Sequence, residues 1–216
     1  MIAAVIPAYN ESKRLGDVIK KTKKFVNRVI VVDDGSKDNT FDVAKKNADI
    51  VLRNVVNMGK GFALKAGFEE AVRERADAIV MLDADGQHDP AEIPKLLAGL
   101  KKSDFVVGVR DFSKMPFRAR FANNILTLIF RVLFFMNAGD SQSGFRAVKT
   151  RIYSRIKWKS NSYGVETEML ANAAKKKIAY SEVPIKTIYH EIYKGTGVTD
   201  GIKILLLMIR WRLFPW

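Results

Sequence analysis

Ala78-Ile79-Val80-Met81-Leu82-Asp83-Ala84-Asp85-Gly86-Gln87-His88-Asp89-Pro90 is the stretch whose reading decides the fold. Its first five residues form a short continuous apolar run, the pattern of a strand buried on both faces. At its far end Asp89 is placed to cap a helix that has Pro90 at its first position, with Glu92 reaching back in a capping box. Between strand and helix lie two carboxylates, a carboxamide and an imidazole. In open α/β sheets ligands bind at the carboxyl ends of strands. Asp83 and Asp85 are two apart and can reach one hard cation together, with Gln87 adding a neutral oxygen. An isolated D-x-D occurs by chance in many chains; the buried strand before this one and the capped helix after it favour a ligand site over a plain polar loop.

Working outward, apolar runs alternate with helical segments. Val5-Ile6 leads into Pro7-Ala8-Tyr9-Asn10-Glu11, and Ser12 caps a helix to about Phe25. Val29–Val32 is a second buried strand, ending in Asp33-Asp34-Gly35-Ser36. Asp38 or Asn39 caps a helix around 41–46, and Asp49–Leu52 is a third strand. A helix from Asn57-Met58-Gly59-Lys60-Gly61 to about Arg75 precedes the strand before Asp83, and Phe105–Val109 is a fifth strand. This rhythm predicts a mostly parallel central sheet with helices on both faces. Acids gather beyond three strand ends: Glu11, the Asp33-Asp34 pair, and Asp83 with Asp85. Adjacent aspartates are costly unless something positive or hydrogen-bonding meets them; the alternative for Asp33 and Asp34 is a turn that caps the next helix. Gly59 and Gly61 allow close backbone approach to a ligand, and Lys60 is either a phosphate contact or a surface lysine. Neither G-x-G-x-x-G nor G-x-x-x-x-G-K-[ST] occurs, which argues against a dinucleotide fold and a P-loop.

With 216 residues a single domain, 1–216, is expected. Cysteine is absent, which excludes disulfides, thiolate zinc sites and a cysteine nucleophile and fits a reducing compartment. No basic leader precedes the first strand, so no secretory signal is expected. The net charge of +14 is uneven: residues 1–104 hold 18 basic and 16 acidic side chains, residues 105–216 hold 19 and 7. A cationic second half suits an anionic membrane surface or nucleic acid, or is simply a solvated lysine-rich face.

In that second half Arg110, Lys114, Arg118 and Arg120 precede Ile125–Met136, an apolar run interrupted by Arg131 and too short to span a bilayer. It reads as a core helix or, better, as one lying in a bilayer surface. Tyr163 to Glu168 opens another helix, and Ile178–Val183 is strand-like with Pro184 closing it. The last fifteen residues, from Ile202, form an amphipathic helix with Lys203 and Arg210 on one face and Trp211 and Trp216 as interfacial anchors; resting on anionic lipid is favoured over docking on the protein. Because the cations accompany apolar runs rather than spaced stacking aromatics, a nucleic-acid-binding module is the weaker reading.

Four stretches together carry a resemblance to family 2 glycosyltransferases, and more narrowly to the dolichyl- or polyprenyl-phosphate sugar transferases: Ile6–Glu11, Val32–Thr40, Asp83–His88 and Asp140-Ser141-Gln142-Ser143-Gly144-Phe145-Arg146. The resemblance implies a GT-A, Rossmann-like α/β fold, a nucleoside-diphosphate sugar donor and Mg²⁺ or Mn²⁺. It implies a nucleotide-sugar-binding half, 1–104, and an acceptor half, 105–216, meeting the cytoplasmic face of a membrane through amphipathic helices. Residue by residue, Pro7, Tyr9, Glu11 and Asp34 would hold the nucleoside, with Lys60 and Asp83 also on the nucleotide. Asp83, Asp85 and Gln87 would hold the metal, and Arg110 and Arg120 the lipid phosphate. Asp85, Arg110 and Asp140 are the catalytic candidates. Asp140 would be the base, with Glu166 behind it, if the acceptor were a glycan hydroxyl. His88 is expected to be structural, and His190 has no assigned role. This chain departs from the pattern at Gly108-Val109-Arg110, where relatives often read Gly-Ser-Arg, and in lacking the C-terminal membrane spans that many of them carry.

Overall fold

The computed structural model describes residues 1–162, 164–188 and 198–214, without the side chains of residues 114, 118, 198 and 199. Tyr163, His190 and Trp216 therefore lie outside the described residues, as do the side chains of Lys114 and Arg118. In chain order the elements are β1 (Ile2–Ala8), α1 (Ser12–Thr22), β2 (Arg28–Asp33), α2 (Thr40–Asn47), β3 (Ile50–Arg53), α3 (Lys60–Arg73), β4 (Ala78–Met81), α4 (Ile93–Gly99), β5 (Phe105–Arg110) and α5 (Phe117–Phe134), followed by β6 (Arg146–Lys149), α6 (Tyr153–Ile156), α7 (Val165–Lys175), β7 (Tyr180–Ile185) and α8 (Val198–Leu213).

The strands form one sheet in the order β3-β2-β1-β4-β6-β5-β7. β1 pairs in parallel with both β2 and β4, so the chain reverses its direction of travel across the sheet at β1. The crevice beyond the carboxyl ends of β1 and β4 is thus a topological switch point, where open α/β sheets bind ligands. Alternation along β1 explains why it is apolar throughout. Ala3 and Val5 enter the core on one face with Leu64 and Phe68 of α3. Ala4 and Ile6 enter the other with Leu15 and Ile19 of α1 and Leu96 of α4. Helix α3 lies so close that a Cβ on Gly67 would stand 2.4 Å from the Val5 side chain.

β6 was not anticipated from sequence. It is antiparallel to both neighbours, β4 and β5, and four residues are too few to show a period. β7 continues through Pro184 to Ile185 rather than stopping before it, because among the described residues it is an edge strand with a partner on one side only. Asp89 does cap the turn at Pro90–Glu92, accepting from the Ala91 N–H at 3.0 Å. Glu92 does not complete the capping box; its carboxylate pairs with Lys95 at 2.5 Å.

Helices α5 and α8 correct the membrane-surface reading in part. Leu126, Phe130 and Phe134 recur every four residues and bury one face of α5. Ile204, Met208 and Trp211, spaced four and three apart, bury one face of α8. Trp211 is 1% exposed inside the core, and its carbonyl accepts from Lys175, so it anchors the helix to the protein and not to lipid. The opposite faces remain open and apolar, with Phe117, Phe121, Leu128 and Val132 on α5 and Ile202, Leu206, Ile209 and Leu213 on α8. Among the described residues no helix is long and apolar enough to cross a membrane.

Candidate active site

A cavity of about 1330 Å³ opens at the switch point and runs from the ends of β1, β2 and β4 to the gap between α5 and α8. Pro7, Tyr9, Glu11 and Asp34 line one end, with Lys60, Asp83 and Asp85 next to them. The loops after β1 and β2 are tied together: the Asn10 N–H donates to Ser36 Oγ at 2.9 Å and the Glu11 N–H to Thr40 Oγ1 at 2.8 Å. Both expected aspartate partners are present. Arg53 Nε lies 3.2 Å from the buried Asp33 carboxylate, whose other oxygen accepts from the Ser36 N–H in a turn. Asp34 accepts from Asn54 Nδ2 (2.7 Å) and from the N–H groups of Met58 (2.9 Å) and Gly59 (2.8 Å). It therefore shapes the loop that leads into α3, with Gly59 at φ 95°. Asn39 occupies the cap position of α2 without a side-chain bond, and Asp38 just before it accepts from the Thr40 N–H.

Within the central loop, the Asp85 carboxylate accepts from the Gln87 N–H at 3.0 Å and from Gln87 Nε2 at 2.6 Å. Gln87 does not line the cavity; it reaches the site through Asp85. His88 is 4% exposed, stacks on Phe145 with centroids 5.0 Å apart, and accepts at Nδ1 from the Asp83 N–H at 3.1 Å. Burial pushes its pKa down against the pull of Asp83 and Asp85, so it serves as a neutral brace, in line with its structural reading.

Lys60 is not a surface lysine. Its Nζ lies 2.6 Å from Asp83 Oδ1 and 2.7 Å from Glu166 Oε1. Burial works against its charge, but the two carboxylates outweigh it and raise its pKa. Burial would likewise raise the Asp83 carboxyl, yet the Lys60 charge, with lesser help from Arg110, holds it below the usual range.

Farther along the cavity, Arg110 at the end of β5 donates two hydrogen bonds to Asp140, at 2.7 and 3.0 Å, and a third to Asn123 at 3.1 Å. Asp140 is fully buried and also accepts from the Gln142 N–H at 3.1 Å. It does not line the cavity, whereas Arg110, Asn123 and Gln142 do. The structure thus places both Asp140 oxygens on Arg110, away from the cavity wall where a base would stand. Arg120 is not brought to Arg110; its guanidinium lies 5.8 Å from the Phe117 ring and does not line the cavity. Beyond Arg110 the walls turn apolar with Phe121, Ile125, Ile129, Ile202 and Leu205.

Several positions here had no role from sequence. Arg146 is fully buried and donates to the carbonyls of Ser143, Ser141 and Glu166, latching the Asp140–Arg146 loop to α7. Asn123 and Gln142 line the cavity, while Glu166, expected from sequence only as a second base behind Asp140, enters it as the partner of Lys60. An arginine at the start of a strand, within an otherwise apolar run, was the signal available for Arg146.

Residues 3–157 match the family described as Glycosyl transferase family 2. The chain belongs to that family. It is thus a glycosyltransferase, and relatives align over nearly its whole length. The UDP-N-acetylglucosamine–dolichyl-phosphate N-acetylglucosaminyltransferase of Methanococcus voltae is 34% identical, covering 97% of this chain and 96% of that protein. The undecaprenyl-phosphate mannosyltransferase of Micrococcus luteus is 30% identical, covering 98% and 94%. Among solved structures, glucosyl-3-phosphoglycerate synthase from Mycobacterium tuberculosis, in complex with Mn²⁺, UDP and glucosyl-3-phosphoglycerate, superposes with a TM-score of 0.78 at 19% identity, over 98% of this chain and 79% of that one. This glycosyltransferase has the GT-A-like fold: a seven-stranded, mostly parallel sheet between helical layers.

Proposed function

We propose that this glycosyltransferase moves a sugar, with inversion and with the help of Mg²⁺ or Mn²⁺, from a nucleoside-diphosphate sugar to a polyprenyl phosphate such as dolichyl phosphate at the cytoplasmic face of a membrane. The observation that carries the reading is the cavity itself: acids at one end, Arg110 in the middle, and an apolar channel between α5 and α8 at the other. Nucleotide, phosphate and isoprenoid chain find matching chemistry in that order. Relatives of similar length act, by their names, on dolichyl and undecaprenyl phosphates.

Pro7, Tyr9, Glu11 and the loop shaped by Asp34 would hold the nucleoside. The residues present fit a hard cation: Asp83 and Asp85 both face the cavity, and Gln87 orients Asp85. Among the described residues no cluster of three or more His, Cys, Asp or Glu is close enough to enclose a metal. That suits Mg²⁺ or Mn²⁺, which take one or two carboxylates and complete their shells with substrate phosphates and water. Such a cation would neutralise charge growing on the departing diphosphate.

Lys60 would add a cation near the diphosphate, and Arg110, braced by Asp140 and Asn123, would orient the acceptor phosphate. One oxygen of that phosphate attacks the anomeric carbon as the bond from that carbon to the diphosphate oxygen breaks. The phosphate arrives ionised, so no base is required, in keeping with an Asp140 engaged by Arg110. Peripheral membrane contact would come from the open apolar faces of α5 and α8, the latter helix also carrying the exposed Lys203, Arg210 and Arg212.

Incubating the protein with labelled GDP- and UDP-sugars, polyprenyl phosphate vesicles and Mg²⁺ or Mn²⁺ tests this directly. A chloroform-extractable labelled lipid, abolished by EDTA, is the expected result. Transfer only to water-soluble acceptors, or transfer undiminished by EDTA, would overturn it.

A further inference from the structure

Lys60 joins the nucleotide end of the cavity to the acceptor half by ion pairs: Asp83 follows β4, Glu166 sits in the first turn of α7, and Lys60 opens α3 between them. The bridge is built in, not draped over the surface. Glu166 is 8% exposed, and its backbone carbonyl is held by the fully buried Arg146. Gly59 and Gly61, on either side of Lys60, touch the loop around 160–161 so closely that a Cβ on Gly61 would stand 2.0 Å from the Ser160 carbonyl. That loop is fixed in turn by Glu168, which accepts from the N–H groups of Lys159 and Ser160, and by Trp158, whose indole donates to the Gly61 carbonyl. On the remaining side Gly144 leaves no room: a Cβ there would lie 3.0 Å from Asp83 Oδ2 and 3.2 Å from Lys60 Nζ.

We infer that Lys60 is an internal counter-cation that competes with the divalent metal for Asp83 and yields when a diphosphate draws its ammonium away, so that metal capture is coupled to nucleotide arrival. The argument is one of charge placement. A divalent cation approaching Asp83 meets an ammonium already 2.6 Å from one of its two oxygens, and like charges at that range repel strongly in a partly buried site. A diphosphate supplies anionic oxygens for Lys60 and ligands for the metal at once. Withdrawal of Lys60 then frees Asp83 and removes the repulsion. Glu166 is the second seat that keeps the ammonium in the cavity and aimed at the nucleotide end. By linkage, whatever nucleotide does for metal affinity, metal does for nucleotide affinity by the same factor. The coupling also links the two halves, since the residue that moves is held by α7 on one side and by the loop after β4 on the other.

This inference rests on the metal-assisted reading above, and the experiment separates the two. Binding of Mn²⁺ is followed by the EPR signal of the free ion, with the protein alone and with saturating UDP or GDP, the Mn²⁺–nucleotide equilibrium in solution being measured separately. In the wild type, Mn²⁺ alone should bind weakly, and nucleotide should tighten it well beyond that solution complex. Lys60→Met should bind Mn²⁺ alone about tenfold more tightly than the wild type, with the nucleotide effect reduced by a similar factor. Lys60→Arg should behave as the wild type. Unchanged or weaker binding of Mn²⁺ alone to folded Lys60→Met overturns the inference and leaves the metal-assisted reading standing. Absence of Mn²⁺ binding to the wild type with either nucleotide overturns both. A second measurement covers a Lys60→Met protein that does not fold: in the wild type labelled with ¹⁵N-lysine, the ion-paired Lys60 ammonium resonance, assigned with Lys60→Arg, should shift with Mg²⁺ and nucleotide together and not with Mg²⁺ alone. A shift with Mg²⁺ alone, or none with both, overturns the inference.

Discussion

The two ends of the cavity are built by different physics. At the nucleotide end the functional carboxylates sit in short loops after strands, held by backbone N–H groups of loops, as Asp85 is by Gln87 and Asp34 by Met58 and Gly59. At the acceptor end the elements are held by buried side chains that cross between them: Arg110 by Asp140, α7 by Arg146 on the Glu166 carbonyl, α8 by the core face of Trp211. The first kind of site is held by hydrogen bonding within and between its loops and presents charge to a ligand. The second depends on apolar packing, and its charges mostly satisfy one another. The contrast predicts that mutations at the nucleotide end cost activity with little stability, whereas those at the acceptor end cost stability first.

The largest effect should come from Trp211→Ala, which empties a fully buried indole site. We expect a loss of about 3–5 kcal/mol in unfolding free energy by denaturant titration, with nucleotide affinity of the folded fraction retained. A loss confined to vesicle binding, with stability intact, would return Trp211 to the membrane. Next, Asp85→Asn should lower turnover by about 10²–10³-fold while the melting temperature stays put. Normal turnover would remove Asp85 from the cation. Arg110→Lys keeps the charge but loses the two-pronged grip on Asp140. It should cost about 1.5–3 kcal/mol of stability and raise KM for polyprenyl phosphate more than for the sugar donor. Smallest of all, Leu128→Glu on the open face of α5 should shift stability by no more than about 0.5 kcal/mol, yet reduce sedimentation with anionic vesicles. Unchanged sedimentation would count against that face as the membrane contact.

The same contrast explains what could be read from sequence. β1, β2 and β4 announce themselves as apolar runs, because each is covered on both faces, and the acids after them follow within a few residues. Asp83, Asp85, Asp34 and Glu11 therefore converge as expected. The failures lie where partners are remote. Nothing near Asp140 says that Arg110, thirty residues earlier, will occupy it. Nothing near Lys60 says that Glu166 will share it. Trp211 looked like a lipid anchor because an apolar helix face carries no mark of what covers it, protein or bilayer. Arg120 failed for a related reason: position in a basic cluster does not determine which way a helix turns its side chains.

Pro184 in the outer strand β7 has a consequence beyond its missing donor. A bare strand margin is a template onto which a neighbouring molecule can add its own strand, and a proline spoils that template. At high local concentration the protein gains from a border that will not knit to the next copy.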